Sequence, residues 1–155
     1  MAAAAKNPTQ ASGDVQAAVT RRLGELLGQQ QERLQGCLAV MERQQAAIES
    51  GREDAILACV EILGALTTEI LSIQKAIDPL EAMRHVAADV ISALRAELED
   101  LRNRVAAQSR RNSDLLSARM ADLRREINVL RSSQFAMGRR RSLYQGAASL
   151  IDIEG

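Results

Sequence analysis

From residue 14 onward, apolar residues recur every three or four positions, the period of a helix that buries one side. The first stripe is Val15, Val19, Leu23, Leu26, Gln30, Leu34, Cys37, Met41, Gln45 and Ile48, widened by Leu27 and Leu38. The second is Ile56, Cys59, Leu63, Leu66, Ile70, Ile73 and Ile77. The third runs Leu80, Met83, Ala87, Val90, Leu94, Leu98, Leu101, Val105, then Gln108 and Asn112, then Leu115, Met120, Leu123, Ile127 and Leu130. The pattern predicts an all-α fold: an antiparallel helical hairpin or bundle of three long helices, the third either continuous or broken into two, with disordered termini.

Local signals set the boundaries. Ser50-Gly51-Arg52-Glu53 has the spacing of a capping box, with the Ser50 hydroxyl and the Glu53 carboxylate each satisfying an amide at a helix start. In Asp78-Pro79-Leu80-Glu81, the aspartate suits an N-cap and the proline the first helical position. The expected organisation is a disordered lead-in over 1–13, helices over about 14–49, 53–77 and 79–131, and a flexible tail over 132–155. Gly24, Gly28 and Gly36 each cost about 1 kcal/mol relative to alanine inside a helix. They read either as weak spots or as places where a neighbouring helix comes close.

Lengths point to a surface. At a rise of about 1.5 Å per residue the three helices span about 54, 38 and 80 Å. Tight joints make neighbours antiparallel, so helix three should run out of partner near Val105 and leave 108–131 beyond the bundle. Leu115, Leu116, Met120, Leu123, Ile127 and Leu130 would then lie uncovered, which soluble monomers rarely tolerate over a long stripe. A client helix, a second copy or the tail would cover it. Alternatively the helix breaks near 109–113, with Asn112 or Ser113 as a new cap. Gln108 and Asn112 occupy seam positions, where a polar residue fixes register at a cost in stability.

Composition narrows the function. Hydrophobic residues make up 46% of the 155, yet aromatics only 1%, Phe135 and Tyr144. This is the make-up of long helices rather than of an aromatic-rich enzyme core. Twenty basic and twenty acidic residues give a net charge of zero, which argues against nucleic acid as the main partner. Arg110-Arg111 and Arg124-Arg125 read as solvated helix surface; Arg139-Arg140-Arg141 reads equally as that or as a contact for an acidic partner. No aromatics interleave them for base stacking. The four-alanine run before Lys6 is too short for a signal-peptide core, and no run approaches the ~18 consecutive apolar residues of a span. A cytoplasmic protein without membrane insertion is expected.

No catalytic constellation emerges: no phosphate-binding glycine loop, GxSxG, HExxH or CxxC. Glu97, Glu99 and Asp100 alternate with Arg95 and Arg102 as surface pairs. Cys37 and Cys59 fall on apolar faces, where a free cysteine packs as a small hydrophobe, and His85 has no second ligand at helical spacing. No enzyme activity, cofactor or metal is expected.

Several segments resemble the FlgN family of flagellar type III export chaperones. Met41-Glu42-Arg43-Gln44-Gln45-Ala46-Ala47-Ile48-Glu49-Ser50-Gly51, followed by Asp54-Ala55-Ile56-Leu57, is similar to the family's first hairpin turn. Asn112-Ser113-Asp114-Leu115-Leu116 is similar to its Asn-x-x-Leu-Leu step, and Leu143-Tyr144-Gln145-Gly146 to its tail tyrosine-glycine. The resemblance implies a chaperone that binds hook–filament junction proteins (hook-associated proteins) through their C-terminal amphipathic helix. It would keep them unassembled and deliver them to the export gate. It implies client binding at Asn112, Leu115, Leu116, Met120, Leu123, Ile127 and Leu130, and contact of Tyr144 with the gate protein FlhA. The competing expectation is a coiled-coil homodimer acting as a structural scaffold.

Overall fold

A computed structural model describes residues 8–83 and 88–151, with side chains for 13–83, 91–135 and 137. Every regular element among them is a helix: α1 (Pro8–Glu49), α2 (Glu53–Glu81) and α3 (Ala88–Ile151). The chain divides into two units, Met1–Ser113 and Asp114–Gly155.

The first unit holds α1, α2 and the beginning of α3. Its core is Leu23, Leu26, Leu27 and Leu34 of α1, Ile77 of α2, and Ile91, Leu98 and Leu101 of α3, with Leu38, Ile70, Ile73, Leu80 and Val105 packed around them. Twelve of the thirteen belong to the stripes as read, with Leu27 and Leu38 widening the first, so the 3.6-residue period places most of the core; Ile91, one position past the Val90 of the third stripe, is the exception.

The α1–α2 turn forms differently from the expected capping box. The Ser50 hydroxyl donates backward, to the carbonyls of Ala46 at 2.6 Å and Ala47 at 3.3 Å. The N-cap of α2 is Arg52, with no side-chain cap bond. Gly51 takes φ 65°, the left-handed region. Its amide donates to Ile48 O, and the Arg52 amide to Ala47 O at 2.9 Å. These two bonds make a Schellman closure of α1. It satisfies the last carbonyls of α1, and that draws Ser50 away from α2.

The second boundary also differs. Asp78-Pro79 does not start a helix; α2 continues to Glu81. A proline in the last turn removes one backbone bond, and continuing the helix keeps Ile77 in the core and Leu80 half-buried against it. The Asp78 carboxylate, free of capping duty, accepts from Gln74 Nε2 at 2.7 Å. Glu81 pairs with Arg95 of α3 at 3.0 Å.

The termini depart from expectation as well. α1 begins at Pro8, and α3 runs to Ile151 through most of the segment read as a tail. No proline interrupts 88–151, and arginine, alanine and leucine are its commonest residues, which favours continued helix. Of the two alternatives at 109–113 the continuous helix is the one formed, and Asn112 is used for packing rather than capping.

Two polar layers cross the apolar packing. In the first, Arg102 Nη2 donates to Gln30 Oε1 at 3.1 Å, and Gln30 Nε2 donates to Gln74 Oε1 at 2.9 Å. One residue from each helix meets there, and Gln30 is only 2% exposed. In the second, Gln108 Nε2 donates to Gln45 Oε1 and to Asn112 Oδ1, while Asn112 Nδ2 donates to Met41 O at 2.8 Å and Gln44 Oε1 at 3.0 Å. No buried side-chain polar atom among the described residues is left unbonded, so these layers specify register without stranding a polar group.

Candidate binding surfaces on α3 and α2

The second unit is a stretch of α3. From Leu116 onward its apolar residues face solvent: Leu116 at 39%, then Met120, Leu123, Ile127 and Leu130 at 62%. The steps between them are four, three, four and three residues, the strict heptad seam that packs against another helix. Met137, seven residues after Leu130, is exposed as well. Asp122 pairs with Arg125 alongside the stripe.

The expected client residues therefore separate into two sets. Asn112 lies in the first unit, 5% exposed, with both amide hydrogens given to α1 and its oxygen accepting from Gln108. It stabilises the helix packing and is not available to a client. Leu115 is half-buried. Leu116, Met120, Leu123, Ile127 and Leu130 form one continuous exposed face. The packing of α3 on α1 extends through Gln108 and Asn112, so the uncovered run begins later than the expected level of Val105. Tyr144 falls inside the α3 range, but its side chain lies outside the described residues, as do those of Arg139, Arg140 and Arg141. His85 is also outside them.

The cysteines Cys37 and Cys59 are buried and free. Burial pushes the Cys37 thiol above its ordinary range, because the thiolate would lose its hydration. Among the described residues no three His, Cys, Asp or Glu side chains converge as a metal group would require.

A second exposed apolar surface lies outside the three stripes. On α2, directly opposite the core-facing side, Leu57, Val60 and Leu71 are more than half exposed. Between Ala55 and Gln74 the only charges are Glu61 and Glu69, and Glu69 is held by Arg33 of α1. Among the described residues α2 is long and apolar enough, by length and composition alone, to cross a membrane, and little of it is buried. A search for consecutive apolar residues overlooks it because the two glutamates divide the run. The signal was legible as a helix apolar on both sides.

No family model matches the chain, and no solved structure matches it. It is similar to an uncharacterized protein of Treponema pallidum (strain Nichols), with 32% identity over 120 residues, covering 76% of this chain and 78% of that one.

Proposed function

This chain belongs to the same family as the uncharacterized Treponema pallidum protein, and we propose that it is a non-enzymatic export chaperone of FlgN type, working in the cytoplasm. The observation that carries the reading is the exposed heptad face Leu116, Met120, Leu123, Ile127 and Leu130. Five large apolar side chains on one line suit helix-in-groove capture, in which a partner's amphipathic helix supplies anchors at three-four spacing. The clients are hook–filament junction proteins, bound through their C-terminal helix, and Tyr144 meets the export-gate protein FlhA. These identities come from the resemblance of the hairpin turn, the Asn112–Leu116 step and Tyr144-Gln145-Gly146.

The test is light scattering on the full chain with and without the C-terminal segments of junction proteins. A stoichiometric complex that Leu123→Asp/Ile127→Asp removes, with helicity unchanged by circular dichroism, is expected. No complex with any such segment, or a complex indifferent to both aspartates, overturns the reading.

The four-three spacing supports a second reading, a coiled-coil homodimer sealed along the same face. In that case Leu123→Asp/Ile127→Asp converts a dimer to a monomer in the absence of any client.

A further inference from the structure

The outward face of α2 has a symmetry that the fold does not use. Relative to Gly64, the residues within eleven positions and 40° on the helix surface lie at offsets of four, seven and eleven in both directions, at 100° per residue, and Asp78 lies beyond them at the C-terminal end of the face. At seven stand Leu57 and Leu71; at four, Val60 and Thr68; at eleven, Glu53 and Lys75. All are exposed. Neither Glu53 nor Lys75 makes an ion pair among the described residues, and Lys75 is one of only two lysines in the chain. The Thr68 hydroxyl donates to Gly64 O at 3.0 Å, so that its bonding need is met within the helix and its methyl group adds to the apolar face. A Cβ added at Gly64 would meet nothing within 4 Å, so the protomer itself does not require glycine there.

We propose that α2 pairs with α2 of a second copy of this chain, antiparallel, with the two-fold axis at Gly64. An isologous contact needs a surface that is complementary to its own rotated image, and this one is. Leu57 meets the partner's Leu71, Val60 meets the partner's Thr68, and Glu53 meets the partner's Lys75, each twice. Glycine at the crossing allows the axes to approach to the low end of the usual 8–10 Å. The contact extends about 33 Å from Glu53 to Lys75 at the standard rise. One helix against one helix lies near or below the ~1,200 Å² at which standard interfaces begin, so the dimer dissociates in the micromolar range. A membrane surface fits the same face less well. Helices that lie on bilayers carry cations along their polar flank, whereas this face is flanked by Glu61 and has Lys75 as its one cation. The pairing is independent of any client on α3.

Sedimentation of the full chain over about 1 to 100 μM tests it, because a micromolar dimer dissociates within that window. The wild type is expected to pass from monomer to dimer. Gly64→Phe should hold it monomeric with its melting temperature undiminished. Lys75→Glu should weaken the dimer by about tenfold, as two attractions become two repulsions, and Glu53→Lys/Lys75→Glu should restore it. Under mild oxidation Gly64→Cys should crosslink to itself, Leu57→Cys should not, and Leu57→Cys/Leu71→Cys should; the native cysteines are buried. A monomer at every concentration overturns the proposal. So does a dimer that survives Gly64→Phe but falls to Leu123→Asp/Ile127→Asp, which places self-association on α3. Co-sedimentation of a monomer with phosphatidylglycerol vesicles that Leu57→Glu abolishes overturns it in favour of a lipid surface.

Discussion

Asn112 and Gln30 are polar residues at positions where the helical period asks for leucine, and both resolve into fully bonded contacts. Asn112 donates from both hydrogens of its amide and accepts from Gln108, so Asn112→Ala removes three hydrogen bonds between half-buried groups and leaves Gln108 with its bond to Gln45 alone. A loss of about 1–3 kcal/mol in urea unfolding is expected, with client binding unaffected because the residue is out of reach. The Cys37 thiol is kept protonated by desolvation. Its folded-state pKa is raised, so the folded chain holds the proton more tightly than the unfolded one. Stability from this group is full below the ordinary thiol range and declines as pH rises through it. Alkylation of Cys37 should accordingly follow local opening, accelerating in step with denaturant; a burst of labelling in native buffer would contradict its burial.

At the scale of the element, closing a helix and starting one compete for the same four residues. Ser50 and Gly51 finish α1, and α2 begins without a side-chain cap. Gly51→Ala must place a Cβ in the left-handed region and should cost about 1–2 kcal/mol, whereas Ser50→Ala should cost less. Gly24 and Gly28 have open space where a side chain would be, so alanine at either should stabilise by about 1 kcal/mol in thermal melts. That answers the question their sequence left open: they are weak spots. At Gly36 an added methyl group would stand 3.7 Å from the Leu66 side chain, an ordinary contact distance. The stripes were legible because burial is periodic and local sequence records it. The end of α2 was not, because Asp78-Pro79-Leu80-Glu81 reads as a start by local preference, while the burial of Ile77 and Leu80 is a tertiary effect that outweighs it. The exposed face of α3 was visible in the spacing of Met120, Leu123, Ile127 and Leu130, but the assignment of Asn112 to it failed because its partners, Met41 and Gln44, lie about seventy residues away.

At the scale of the molecule, the apolar surface left over after the core is complete falls on two faces with different grammar. The α3 face repeats in heptads, and the α2 face mirrors itself about one glycine. Removing a core contact and removing a surface contact should therefore separate cleanly. Leu98→Ala, in the three-helix core, should cost about 2–5 kcal/mol of unfolding free energy. Leu123→Asp/Ile127→Asp should leave the melt of the 1–113 unit unchanged while abolishing partner binding.

The closure at Gly51 also bears on how the chain acquires its structure. It joins α1 to α2 with almost no intervening chain, so the first contacts to form cross a very short loop and carry little entropic penalty. The hairpin can zip upward from Ile48 and Ile56 before α3 has been made. During synthesis that hairpin emerges first, carrying Gln30 and Gln74 already bonded to each other but lacking Arg102, and with Leu23, Leu27 and Ile77 bare until Ile91 and Leu98 arrive. Substitutions near Gly51 should therefore slow folding, and those in α3 should chiefly speed unfolding, which stopped-flow chevrons of Gly51→Ala and Leu98→Ala would separate.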